Sequence, residues 1–116
     1  MTRAEIAAME PGPELYALVS DAVGRAPGAK WGRSMLENLV AAAEAAGLGW
    51  TVVLAVEDGF VAFLQTGGEE VGSPVECAQT AGGSEVVFYS ENTKPATGKT
   101  PQHAACLAVA LAGAES

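Results

Sequence analysis

The six basic residues of this chain are Arg3, Arg25, Lys30, Arg33, Lys94 and Lys99, and they are unevenly placed. Arg25, Lys30 and Arg33 share residues 25–33 with Trp31, and Lys94 and Lys99 share residues 91–99, with Thr100 following. Guanidinium and ammonium groups pair with phosphate oxygens, and an indole ring stacks on a flat base. The set Arg25, Lys30, Trp31, Arg33, Lys94, Lys99 and Thr100 therefore has the chemistry to hold a small anionic, nucleotide-like ligand. The same residues also read as solvated loop charges around a Trp that packs on the core or at a subunit contact.

Gly98-Lys99-Thr100 stands between a strand-like and a helix-like segment, as the end of a phosphate-binding loop does. The Walker pattern needs a further glycine where Thr93 stands, so ATP hydrolysis is not expected. A turn into a helix N-terminus with a Lys beside it still suits an anion, and it equally suits ordinary helix capping. His103 is the only histidine. It lies off the apolar stripe of the last helix and is expected to be exposed and incidental. Cys77 and Cys106 read as small buried hydrophobes. One His and two separated Cys do not make a zinc site. Asp58 belongs to a turn and Glu69-Glu70 to a solvated strand end, so no carboxylate set for a metal is evident. No catalytic residue, metal or cofactor is expected.

Composition narrows the partners. Formal net charge is −8 over 116 residues, and nearly half the residues are apolar. That is the composition of one folded domain, spanning 1–116. Such an acidic chain lacks the basic face that general nucleic-acid binding requires, and an acidic membrane would repel it. The opening MTRAEIAAMEPG carries acids and no long apolar run. It predicts neither a signal peptide nor a membrane span, and a cytoplasmic protein.

The elements that must position these residues can be read in order. Thr2-Arg3-Ala4-Glu5 has capping-box spacing and predicts a short helix stopped by Pro11-Gly12-Pro13. Gly12 then serves as N-cap with Pro13 at the first helical position, Leu15, Leu18, Val19 and Ala22 form a stripe, and Gly24 ends the helix. Ser34-Met35-Leu36-Glu37 repeats the capping-box spacing ahead of Leu36, Leu39, Val40 and Ala43, with Gly47 closing. Residues 50–66 read as a β-hairpin turning at Asp58-Gly59, apolar on both faces and central to the fold. Residues 69–71 would extend the sheet, 75–80 are a weaker strand and 85–90 a clear one. Residues 91–99 read as a polar loop. Thr100-Pro101 opens the last helix, with its stripe at Ala104, Leu107, Ala108 and Leu111, and Gly113 closes it. Short turns between strands argue for antiparallel pairing. The expected class is α+β, a three-layer α-β-α sandwich with a mostly antiparallel central sheet.

The chain resembles the phage ABA-sandwich domain family of small bacteriophage and prophage proteins. The resemblance is carried by Met1-Thr2-Arg3, Glu5-Ile6, Met9-Glu10-Pro11-Gly12, Glu14-Leu15 and Leu18-Val19. It is carried further by Thr100-Pro101 with the Ala-rich segment 104–111, and by the capped helix from Ser34. It spans most of the chain, with the N-terminal stretch the specific part. It implies the sandwich fold and a phage origin, and brings no catalytic motif. With the basic loops, it raises the expectation of a non-enzymatic phage accessory protein that sequesters a small anionic host molecule, such as a nucleotide immune signal. The alternative is an oligomeric phage protein that binds and inhibits a host protein, which acidic charge suits. A nucleotide-cleaving enzyme is the least favoured. The Ala-rich helices predict a homo-oligomer.

Overall fold

The structure is a computed structural model that describes residues 2–24, 31, 35–56, 59–65, 76–79, 85–88 and 96–115. Helices α1 (Arg3–Ala7), α2 (Pro13–Val23) and α3 (Leu36–Ala45) precede strands β1 (Trp50–Val56) and β2 (Gly59–Gln65). Strands β3 (Glu76–Gln79), β4 (Glu85–Phe88) and β5 (Ala96–Gly98) and helix α4 (Pro101–Glu115) complete the order. The class is α+β.

Local rules set most helix ends. The Glu5 amide donates to Thr2 Oγ1 at 3.2 Å and the Thr2 amide to Glu5 Oε1 at 3.1 Å, so the first capping box is complete. Those bonds hold the Glu5 carboxyl below its ordinary range, chiefly through the Thr2 backbone. Gly12 caps α2 with Pro13 following, and Gly24 ends it in the left-handed region at φ 72°. The second expected box is different: α3 starts after Met35, whose side chain makes no capping bond, and Ser34 lies outside the described residues.

The strands form two sheets, β1-β2-β5 and β3-β4, where a single central sheet was expected. All three pairings are antiparallel. Residues 69–71 lie outside the described residues. Val56 pairs with Gly59, so Gly59 already belongs to β2, while Asp58 of the expected turn lies outside the described residues. Gly59 is required both by its own backbone, at a positive φ of 153°, and by its neighbour: a Cβ there would lie 2.6 Å from the Gly98 carbonyl oxygen. Within the segment read as a polar loop, Ala96–Gly98 is a strand paired to β2 through Ala62↔Ala96 and Phe60↔Gly98. Three residues of Ala, Thr and Gly carry no period-2 apolar signal, which hid it.

Helix α4 is the centre of the molecule. Every residue from His103 to Leu111 is buried, not only the expected stripe. A helix apolar on all sides must be covered on all sides, and α4 touches α1, α2 and α3 as well as β1, β2 and β5. Small side chains permit this. Gly113 does not end the helix; a Cβ there would meet the Ala22 Cβ at 2.4 Å, so it is the point where α2 and α4 cross closely. The register puts Thr51, Val53, Phe60, Ala62, Leu64 and Ala96 on one sheet face. Of these, Ala62 and Ala96 are in the core that α4 dominates, and Val53, Phe60 and Leu64 pack against it. All four helices contribute to that same core. Val52, Leu54, Val61 and Phe63, on the other face, do not join it. The described helices thus gather on one side of the sheet, and the second helical layer of a three-layer sandwich is not among them.

Thr51 is buried on the core face, and its hydroxyl oxygen has no hydrogen-bond partner among the described residues. Burying an unpaired hydroxyl is unfavourable, and Val has nearly the same shape. Thr51→Val should stabilise the protein by about 1 kcal/mol. Urea unfolding checks this as a raised midpoint at unchanged slope.

Candidate functional site

The segment that leads into α4 carries the residues whose chemistry stood out. Thr100 Oγ1 accepts from the His103 amide at 3.0 Å, and the Thr100 carbonyl accepts from the Ala104 amide at 3.0 Å. Thr100 is therefore an ordinary helix N-cap, with Pro101 at the first helical position. Its hydroxyl is engaged by the helix it starts.

His103 is buried, 7% exposed, and clamped at both ring nitrogens. The Lys99 amide, which can only donate, gives its proton to Nδ1 at 3.1 Å. Nδ1 is thus the acceptor, and Nε2 carries the ring proton and donates it to the Met9 carbonyl at 2.8 Å. This neutral tautomer pins the turn after α1 to the turn before α4. The expectation of an exposed, incidental histidine is corrected. Its spacing from Leu107 is one helical turn, i to i+4, which sets both on the same side of α4. That relation was present in the sequence and pointed inward.

Lys99 lies at the surface, where its ammonium meets Glu10 Oε2 at 3.1 Å and Oε1 at 3.2 Å. Both side chains are largely exposed, so the pair adds at most about 1 kcal/mol. It does place an acid on the cation that was expected to receive a phosphate. Beside this junction a shallow depression of about 390 Å³ is lined by Met9, Glu10, Gly12, Pro13 and Glu14. Its two carboxylates suit a positive group, not an anion.

Trp31 requires the largest correction. It is 2% exposed and belongs to the core, and its indole N–H donates to Ser20 Oγ at 2.9 Å. A ring packed in this way offers no open face for a base to stack on. Burying an indole with its N–H satisfied is the favourable outcome for so large an amphipathic side chain. Ser20, in turn, is fully buried and was missed. It directly follows stripe residue Val19, on the flank of the inward face of α2. Of the seven residues of the expected anionic site, Trp31, Lys99 and Thr100 are thus occupied by the fold. Arg25, Lys30, Arg33 and Lys94 lie outside the described residues.

Cys106 is a free, fully buried thiol on α4, as expected, and burial pushes it up from 9.0 to about 12. The thiolate is the reactive form, so this cysteine is chemically quiet. Iodoacetamide at pH 8 should leave the Cys106 peptide unmodified in native protein and alkylate it after urea, as read by peptide mass mapping. The raised value also sets a sign. The contribution of the buried neutral thiol is fully present below the unfolded value near 9 and is lost as pH rises toward 12. The Cys77 side chain lies outside what is described. Among the described residues no group of three or more His, Cys, Asp or Glu side chains converges as a metal site would require. No described helix is long and apolar enough to cross a membrane.

Comparison of the chain with family models, curated proteins and solved structures found no match.

Proposed function

We propose that this chain is a non-enzymatic phage accessory protein that acts in the bacterial cytoplasm by docking its acidic surface onto a basic patch of a host protein. The observation that carries this reading is the contrast between surface and interior. Glu5, Glu10, Glu14, Asp21, Glu37 and Glu44 are all exposed. Arg3 is only partly exposed, and Lys99 is matched by Glu10. The groups that could have done chemistry, His103 and Cys106, are buried, as is Trp31. Complementary charge steers such an encounter and raises its rate. The phage setting rests on the resemblance in the N-terminal residues 1–19.

The test uses immobilised protein and a host lysate, followed by the purified captured partner. A host protein with a basic surface should bind, and more weakly as salt rises. The combined variant Asp21→Lys, Glu37→Lys and Glu44→Lys should slow its association by about tenfold or more at low salt. In parallel, a panel of nucleotides should leave the melting temperature unchanged. A nucleotide that raises it by several degrees, and is recovered intact after heating, would overturn host-protein docking in favour of ligand sequestration through the basic loops.

A further inference from the structure

Among the described strands, β1 lies at an edge of its sheet. In the sheet order β1-β2-β5 its described partner is β2 alone, so its outer row of backbone N–H and C=O groups has no described strand beside it. The other edge, β5, is three residues long, whereas β1 has seven. Proteins usually blunt a long edge with a charge, a proline or a bulge. WTVVLAV contains no charged residue and no proline, and its seven residues pair with β2 in unbroken register. It opens on Trp50, whose side chain is 54% exposed, although large aromatics are normally covered.

We propose that β1 is the joint of a homodimer, pairing antiparallel with β1 of a second copy to make one continuous six-stranded sheet. The occupant is argued from charge and symmetry. A chain of net charge −8 repels its own copy over most of its surface. Glu5, Glu14, Asp21, Glu37 and Glu44 lie exposed on the helices, and β1 carries no acid, so it is a stretch where two copies can meet without opposing charge. A strand pairing antiparallel with itself also satisfies two-fold symmetry without a second kind of surface. Full overlap sets Val53 opposite Val53, a β-branched pair of the favourable kind. This inference is independent of what the protein binds.

The experiment is light scattering with backbone amide exchange, on the full chain and on two variants at exposed positions, Trp50→Lys and Ala55→Lys. The expected mass at micromolar concentration is twice the 11.7 kDa chain. Each lysine should raise the dimer dissociation constant by about tenfold or more. In the same variants, the amides of β1 that point away from β2, alternate residues within 51–56, should lose exchange protection on dilution while those of α4 keep theirs. Protection retained in α4 shows that the variants are folded. A monomeric mass for the wild type up to millimolar concentration would overturn the proposal. So would a dimer whose mass and β1 protection are unchanged in both variants. Protection of β1 that appears only on adding an extended peptide would likewise overturn self-pairing and assign the edge to another protein.

Discussion

Replacing Trp31 with Ala should cost about 3–5 kcal/mol of folding stability. This is the outcome expected for a core side chain and not for a ligand platform. The indole is 2% exposed and packs in the cluster that holds Leu15, Val19, Leu39 and Leu107. Removing it loses transfer free energy and leaves a cavity that the rigid helices around it only partly close. It also removes the donor to the fully buried Ser20 hydroxyl. Trp31→Phe separates the two effects. It keeps most of the ring volume but no N–H, and should cost about 1–3 kcal/mol, much of it from Ser20 left unpaired. A double-mutant cycle with Ser20→Ala isolates that pair. Chemical denaturation provides the numbers. If Trp31→Ala retains wild-type stability and instead loses binding to an anionic ligand, the buried placement of the ring is wrong.

Gly98→Ala should be comparably severe, at about 3 kcal/mol or more. Gly98 ends β5 where the chain turns into α4. A Cβ there would lie 2.4 Å from the Ala104 amide nitrogen and 2.8 Å from its Cα. Both are backbone atoms of the central helix, so no side chain can rotate away. The methyl would push β5 off α4 and strain the His103 clamp, which takes the amide of the next residue, Lys99. Gly12 is the control. Nothing lies within 4 Å of its Cβ position and its φ of 167° is extended, so Gly12→Ala should stay within about 1 kcal/mol, the usual cost at an N-cap. Thermal or urea unfolding of the two variants side by side checks the difference. Equal effects would mean that β5 does not pack on α4 as described.

The features set by near neighbours in the chain were legible in the sequence. The Thr2–Glu5 box, Gly12-Pro13 at the start of α2, Gly24 at its end and Thr100-Pro101 at the start of α4 each depend on a few adjacent residues. Their hydrogen bonds close over one turn, so residue type decides them. The hairpin of β1 and β2 and the antiparallel pairing were legible for the same reason, since two apolar runs around a short link have little choice of partner.

What only the tertiary structure decided concerns contacts between residues far apart in the chain. Trp31 with three cations around it has the same composition whether its ring is open or packed; Ser20, eleven residues away, decided that it is packed. His103 looked peripheral by the apolar stripe, because a stripe assumes one buried side. Helix α4 is enclosed by both the sheet and the helices, so its whole circumference turns inward and the Met9 carbonyl and Lys99 amide close on the ring. Gly59, Gly98 and Gly113 read locally as turn or end signals. Gly98 and Gly113 are instead places where backbone or a neighbouring Cβ comes too near for a side chain, and Gly59, at its positive φ, is such a place as well. A glycine's spacing in sequence states what its own backbone can do. Only the packed structure states what lies against it.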